Sequence, residues 1–352
     1  MDKRIQLSHG AGGTKMESLL KEVVIPSVAT DVRVDVGLDA MDDASVVNNI
    51  VFTTDSYTVK PIFFPGGDIG RLAVSGTIND VSVLGANPIA ISCALIIEEG
   101  FEIDSLKRIL KSIRETCAEA GTPVITGDTK VVEKGGVDEI IVNTSGIGVE
   151  SPYLEHNSNV VNEYDNREIK WLLDSNLREG DVIIVSGTIG DHGVAVISKR
   201  EGYGFESTVK SDVAPLNGMI EESLKVGGVC SVKDPTRGGL SNALWEMCEK
   251  SNVCINIREE DIPVREGVKS ACEMLGISPY EIGNEGKLVM GVVGEMADDV
   301  VSAIRKTKYG KDATIIGEVS QSEEYAGVVM ETEIGGRRIL PRPIGDPVPR
   351  IC

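Results

Sequence analysis

The sequence predicts an α/β protein of two domains followed by a flexible C-terminal tail. Three observations carry that expectation. At about 150 residues per domain, 352 residues make roughly two domains. Apolar strand-like runs alternate with helical patterns twice, before and after a polar stretch at Ser151–Leu177. Four prolines fall within the last twelve residues, which forbids a helix interior there. The boundaries drawn are an N-terminal domain at 1–155, a polar connection or insertion at 156–178, a C-terminal α/β domain at 179–334 and a tail at 335–352.

Composition narrows the class. Apolar residues make up 41% of the chain, enough for sizeable cores, and aromatics only 4%, so those cores are aliphatic. Lys and Arg number 35 against 55 Asp and Glu, a net charge of −20, which disfavours nucleic-acid and anionic-lipid partners. The longest nearly apolar run, Ile89–Ile97, falls far short of the roughly 20 residues that span a membrane, and the start lacks the apolar core of a secretion signal. The expectation is a soluble cytoplasmic protein. Seven cysteines, none in a C-x-x-C pair, and three histidines give neither a disulfide framework nor zinc-site spacing. Six of the seven sit in apolar or helical context as small hydrophobes; Cys352, the last residue, is set apart by its proline-rich approach.

Element by element, the glycine-rich His9–Lys15 opens the chain and a short helix follows over Met16–Val24, ending at Pro26. Val46–Thr54 reads as a strand with Asp55 at its end. After the Pro65-Gly66-Gly67 turn, Asp68 caps a long helix reaching about Gly85 and bearing Arg71, Asn79 and Asp80. Ile89–Ile97 is a strand by its β-branched content, Asp104–Ala120 an amphipathic helix, and Pro123–Thr126 a strand leading into a Gly127-Asp128-Thr129-Lys130 turn. Ile140–Val149 is another strand. In the second half, strands are expected at Asp181–Ser186, Val229–Val232, Lys287–Val293, Thr314–Val319 and Gly327–Glu331. Helices are expected at Val213–Val226 and near Leu240–Ser251, Arg265–Leu275 and Ala297–Thr307, with a Gly187–Gly193 loop before another.

The chemistry concentrates at strand ends. Three strands run into a turn with Asp beside Ser or Thr: Asp55-Ser56, Asp128-Thr129 and Asp234-Pro235-Thr236. Asp42-Asp43 and Asp80 add to the set. One such Asp is ordinarily an Asx turn; several at one sheet edge, where α/β ligand sites lie, make a hard-oxygen cluster suited to Mg²⁺ and phosphate. Asp43, Asp55, Asp80, Asp128 and Asp234 are the candidate metal ligands. Glycine clusters are usually turns, yet Gly10–Gly13 and Arg237-Gly238-Gly239 also supply amides for an anion, the second just before a helix; neither fits the Walker or dinucleotide patterns. Lys130 and Arg237 pair locally with Asp128 and Asp234, or neutralise phosphoryl charge. Glu285 is a solvated turn carboxylate, or a general base if buried. His192, a lone histidine between glycines, is read as structural before anion-binding.

The motifs Asp42-Asp43-Ala44, Thr54-Asp55, Gly76–Asp80, Gly127–Lys130, Asp234–Leu240 and Asn284-Glu285-Gly286, in that order after a glycine-rich start, resemble the ATP-binding superfamily of aminoimidazole ribonucleotide synthetase, selenophosphate synthetase and thiamine monophosphate kinase. The ending Pro349-Arg350-Ile351-Cys352 is similar to the hydrogenase expression/formation (HypE) family within it, which serves [NiFe]-hydrogenase maturation. The resemblance implies a two-domain aminoimidazole-ribonucleotide-synthetase-like fold and a homodimer formed through the N-terminal sheet. It implies an ATP and Mg²⁺ site drawn from Gly12, Gly13, Asp43, Asp55, Asn79, Asp80, Gly127, Asp128, Thr129, Asp234, Thr236, Arg237, Gly238 and Gly239. It further implies an ATP-dependent carbamoyl dehydratase that converts the S-carbamoylated terminal cysteine (a thiocarboxamide) to a thiocyanate, releasing ADP and phosphate. Cys352 then carries the substrate, Glu285 takes a nitrogen proton and Lys130 neutralises charge. The partners implied are the carbamoyltransferase HypF and an iron-carrying HypC–HypD complex that receives the cyano group. Two other readings stand beside it: a sibling synthetase or kinase acting on a free small molecule, and a non-catalytic scaffold presenting its tail. The glycine-rich start holds His9 and no Cys, unlike a selenophosphate synthetase.

Overall fold

A computed structural model describes residues 4–201, 209–321 and 327–345. Its N-terminal part begins with α1 (Gly13–Leu19), which continues through a wider turn at Leu20–Val24 into α2 (Ile25–Val28). Pro26 is the second residue of α2, directly after the wider turn, and the helical run outlasts the expected stop. The single strand expected at Val46–Thr54 is a hairpin, β1 (Ser45–Val47) and β2 (Ile50–Tyr57). Asn48 and Asn49, at φ +52° and +62°, make the left-handed two-residue turn that matches strand twist.

A short hairpin, β3 (Phe63–Phe64) and β4 (Gly67–Asp68), delivers the chain to α3 (Ile69–Val83). Asp68 caps that helix as expected, accepting from the backbone N–H of Gly70 (2.9 Å) and Arg71 (3.1 Å). Then follow β5 (Ala86–Glu98), α4 (Ile103–Ala120), β6 (Val124–Val132) and β7 (Ile140–Glu150). The sheet order is β1-β2-β7-β5-β6, and only β5–β6 is parallel. α3 lies so close on one face that a Cβ on Gly146 or Gly148 would meet Thr77 or Val81 at 2.8 or 2.4 Å. The other face stays open, with Phe52 and Ile89 nearly half exposed. Gly127–Lys130 is not a turn: it pairs with Cys93–Ile96 inside β6, the edge strand. Edge position explains the misreading, because a strand with one bonded side and exposed side chains needs no apolar alternation.

The polar 151–177 stretch contains α5 (Leu154–Asp165). Its fully buried Asn157 imitates a neighbouring strand, donating to Val229 O and accepting from Val229 N–H, both at 2.8 Å. Arg167, also buried, pairs with Asp181 at 2.7 Å. The second part comprises β8 (Asp181–Val185), α6 (Asp191–Arg200), α7 (Asn217–Val226), β9 (Val229–Lys233), α8 (Gly239–Ser251), β10 (Val253–Arg258), α9 (Glu266–Leu275), β11 (Val289–Val293), α10 (Ala297–Arg305), β12 (Thr314–Gln321), β13 (Gly327–Glu331) and β14 (Arg337–Ile339). Seven strands run in the order β14-β13-β10-β12-β8-β11-β9, burying β9 and β11 completely. One aliphatic core joins both parts: Val81 and Leu84 of the first meet Leu216, Leu224 and Val229 of the second. Asn157→Ala leaves a buried N–H and C=O of Val229 unpaired; we expect a loss of about 2–3 kcal/mol in denaturant unfolding. A midpoint equal to wild type would show that α5 does not hold β9.

Candidate functional site

Eight acidic residues line one cleft of about 400 Å³, and among them are five expected site carboxyls from five different places. Asp43 comes from the loop before β1, Asp55 from β2, Asp80 from α3, Asp234 from the end of β9, and Glu285 from the loop before β11. Each enters for a local reason. Asp80 sits on the last turns of a helix buried along nearly its whole length, so its carboxyl has no route to solvent except the cleft. The Thr53 hydroxyl holds it, 3.1 Å from Asp80 Oδ2 and 3.0 Å from the carbonyl of Asp43. Asp55 accepts from the Tyr57 hydroxyl at 3.3 Å; a Cβ on Gly76 would lie 2.3 Å from that hydroxyl, so this helix position must be bare.

These carboxyls disturb one another. Burial, then the charges of Asp55, Asp234 and Asp43, push Asp80 well above the usual carboxylate range. Burial and Asp43 do the same to Asp234, and burial with Asp234 and Asp212 to Glu285. Asp42, behind Asp43, is pushed up to about 7 by burial and the nearby Asp174. Two lysines offset part of this. Lys233 Nζ is 3.0 Å from each of Asp43, Asp174 and Glu246; Lys250 Nζ is 2.7 Å from Asp174 and 3.5 Å from Asp42. The remaining excess of hard oxygen donors fits Mg²⁺. Among the described residues no three acidic, histidine or cysteine side chains form a ready metal cage.

Glycines line the opposite wall. Gly12 (φ +84°) packs on Arg237, whose Cβ and carbonyl would lie 3.0 Å from an added Cβ. Gly238 (φ +79°) is the residue before α8, so the two glycine-rich stretches stack and aim the first amides of a 13-residue helix at the cleft. Gly12, Gly13, Thr236, Arg237 and Gly239 line it with the acids. The tail passes beside this wall: the backbone N–H groups of Thr14 and Lys15, next to Gly13, donate to the carbonyls of Pro343 and Ile344, both at 3.1 Å.

Not every expected residue is here. Asn79 is buried and committed elsewhere, donating to Ala214 O (3.1 Å) and accepting from Leu216 N–H (2.8 Å), so it ties α3 to the second part. Gly127, Asp128, Thr129 and Lys130 lie on exposed β6, away from the cleft of their own chain. Cys352 lies outside the described residues. His192 is fully buried against Phe64, with its pKa lowered to about 4 by desolvation, a neutral core residue rather than an anion binder. The sequence reading passed over Lys233, Asp174, Glu246 and Tyr57. Lys233 left one trace, a lysine closing an otherwise fully buried strand.

The fold and the site define a class. Residues 41–149 match the AIR synthase related protein N-terminal domain, and residues 178–330 the C-terminal domain of the same description. The chain belongs to the AIR synthase related family. Within it, the chain is similar over its length to HypE hydrogenase maturation proteins. It is 49% identical to a hydrogenase expression/formation protein of Methanocaldococcus jannaschii, over 99% of this chain and 100% of the relative. It is 43% identical to carbamoyl dehydratase HypE of Rhizobium leguminosarum bv. viciae, over 99% and 95%. A crystal structure of a HypE–HypF complex contains a chain at 46% identity and TM-score 0.82, covering 93% of this chain and 100% of that one. A HypE structure in complex with ATP stands at 37% and 0.79, covering 99% and 100%.

A carboxyl whose folded pKa is raised above its unfolded value stabilises the fold while protonated. That contribution is lost as pH rises from about 4 through the folded pKa. Asp80→Asn, which removes the charge and keeps the shape, is therefore expected to raise the melting temperature of the nucleotide-free protein by roughly 2–4 °C at pH 8 and by little at pH 5. The same variant should bind Mg-nucleotide more weakly by calorimetry. A melting gain equal at both pH values would remove electrostatic strain as the cause.

Proposed function

We propose that this protein is an ATP-dependent carbamoyl dehydratase acting on its own terminal thiol, and that it supplies cyanide ligands for [NiFe]-hydrogenase maturation in the cytoplasm. The observation that carries the reading is the docking of the tail, through Pro343 and Ile344, on the glycine-rich edge of a cleft lined by mutually repelling carboxylates. The name of the Rhizobium relative, carbamoyl dehydratase, and the ATP complex of a similar HypE support it. No helix among the described residues is long and apolar enough to cross a membrane.

In this reading Cys352 bears a carbamoyl group, S–C(=O)–NH2. Its oxygen is a poor leaving group. Transfer of the ATP γ-phosphoryl group to that oxygen, with loss of one N–H proton, gives an imino phosphate. Loss of the second N–H proton then forms C≡N and expels phosphate, so carbamoyl and ATP become thiocyanate, ADP and phosphate. Glu285, whose carboxyl burial and Asp234 hold well above its usual range, is the group assigned to take the nitrogen proton in this reading. Asp43, Asp55, Asp80 and Asp234 would hold Mg²⁺, which neutralises triphosphate charge when bound. Gly12, Gly13, Thr236, Arg237, Gly238 and Gly239 present amides and a guanidinium to the phosphates. Asn79 supports the helix that carries Asp80.

Asp128, Thr129, Gly127 and Lys130 join the site from a second copy. Their strand is an unpaired edge, and the open sheet face beside it carries exposed Phe52, Ile89 and Ile125. A homodimer closed over this face would cover that surface and bring one chain's β6 toward the other's cleft. HypF, seen bound to a similar HypE, loads the carbamoyl group, and a HypC–HypD complex receives the cyano group.

Carbamoylated protein incubated with MgATP should lose the mass of one water from its C-terminal peptide alone; retention of the full carbamoyl mass would refute the activity. Cys352→Ala should yield no product while binding nucleotide normally, and full turnover on a diffusible substrate by this variant would favour the free-substrate alternative. Mixing Lys130→Ala with Cys352→Ala chains tests the shared site. If Lys130 crosses to the partner's cleft, mixed dimers regain activity that neither variant has alone. No recovery on subunit exchange would place Lys130 in its own chain's site.

A further inference from the structure

The last described residues of the tail form a ribbon of acceptors. Trp245 Nε1 donates to Leu340 O at 2.8 Å, and the Ser241 hydroxyl donates to Pro341 O. The amides of Thr14 and Lys15 donate to Pro343 O and Ile344 O. Pro341 and Pro343 have no N–H, so this one-sided pairing leaves no donor stranded at either position. Between the prolines, Arg342 points both ways. Nη2 pairs with Glu17 of α1 at 2.5 Å and Nη1 with Glu249 of α8 at 2.6 Å. The Arg342 side chain is four-fifths buried, and Lys21 together with Arg342 holds the Glu17 carboxyl below the usual range against partial burial. Glu17 lines the catalytic cleft beside Gly12 and Gly13. A Cβ on Gly13 would lie 2.1 Å from Pro343 O, so the ribbon is pressed against the glycine-rich loop itself.

We propose that Arg342 is a positioning residue: its clasp on Glu17 and Glu249 anchors the root of the tail at the rim of its own chain's cleft. This rests on the carbamoyl dehydratase reading above. Seven residues follow Gly345, a reach of at most about 23 Å at 3.3 Å per residue. Without the clasp the root is held only by the bonds of Trp245, Ser241, Thr14 and Lys15; were these to release as well, the arm from Pro341 would have twelve residues. Effective concentration falls roughly as the −3/2 power of arm length, so lengthening alone costs about twofold, and lost aim adds to that. A two-pronged guanidinium fork suits the task better than an ammonium, because both carboxylates are met in one plane.

The test is single-turnover conversion of carbamoylated protein at saturating MgATP, followed by mass of the C-terminal peptide. Arg342→Ala should slow conversion about three- to tenfold, with nucleotide affinity and melting temperature close to wild type. Arg342→Lys should fall between. Arg342→Glu should be as slow as Arg342→Ala, and Arg342→Glu combined with Glu249→Arg should recover part of the rate; rate loss at unchanged nucleotide affinity and melting temperature is what a merely structural arginine would not give. Conversion by Arg342→Ala at the wild-type rate, or a rate loss matched by an equal loss of nucleotide affinity, would overturn the clasp while leaving the dehydratase intact. Wild-type protein that fails to convert would overturn the activity and the clasp together.

Discussion

Asp43, Asp55, Asp80, Asp234 and Glu285 come from five separate places, and besides burial the charges of Asp43, Asp55 and Asp234 raise the cost of charging Asp80, those of Asp43 and Asp55 that of Asp234, and those of Asp234 and Asp55 that of Glu285. Such a cluster survives folding only because the surrounding core is large and because cations are built in beside it. Lys233 lies at the centre of that arrangement. It is buried, and it takes one carboxylate from each region it joins: Asp43 from the first part, Asp174 from the connecting stretch and Glu246 from α8. Replacing any one partner would leave a desolvated ammonium with less compensation, which is expensive in a low-dielectric setting. The same ammonium therefore ties the two parts together and sets the orientation of a site carboxylate.

Placement of the acids follows from the two sheets. α3 is pressed against the first sheet by Gly146 and Gly148 and against the second part by Asn79, so Asp80 is carried on an element with almost no freedom. Asp234 and Glu285 flank the fully buried β9–β11 pair. Rigid elements thus bring the charges together at the cleft.

Much of this was legible in the chain. Asp68 announced the start of α3, and acids at strand ends announced the cleft. Other features were hidden for physical reasons. Asn48 and Asn49 sat inside a hydrophobic run and were read as strand, although two adjacent asparagines are well suited to a left-handed turn. Gly127–Lys130 looked like a turn because an edge strand exposes its side chains and shows no apolar period. α5 escaped because its anchors are polar: Asn157 bonds to Val229, and Ser158 to the carbonyl of Ile169. The buried lysine network depends on contacts between residues as far apart as Asp43 and Lys233, and no local pattern records such a meeting.

A substrate carried on the enzyme's own tail answers a problem of size. A carbamoyl group on sulfur has three non-hydrogen atoms beyond the sulfur itself, and even the best small ligands gain only about 1.5 kcal/mol per such atom. Alone it offers too little surface to be held in register against a triphosphate. Contacts remote from the reacting atoms can supply what the group lacks. Here those contacts are the ribbon of carbonyls from Leu340 to Ile344 and the fork of Arg342, made partly to α8 and partly to the start of α1 beside the glycine-rich loop. Binding energy is thus invested in a permanent part of the chain, so thiocarboxamide and thiocyanate alike are retained without being gripped. A site that holds its substrate by the root need not distinguish it from product, which leaves the modified sulfur available for transfer to a partner.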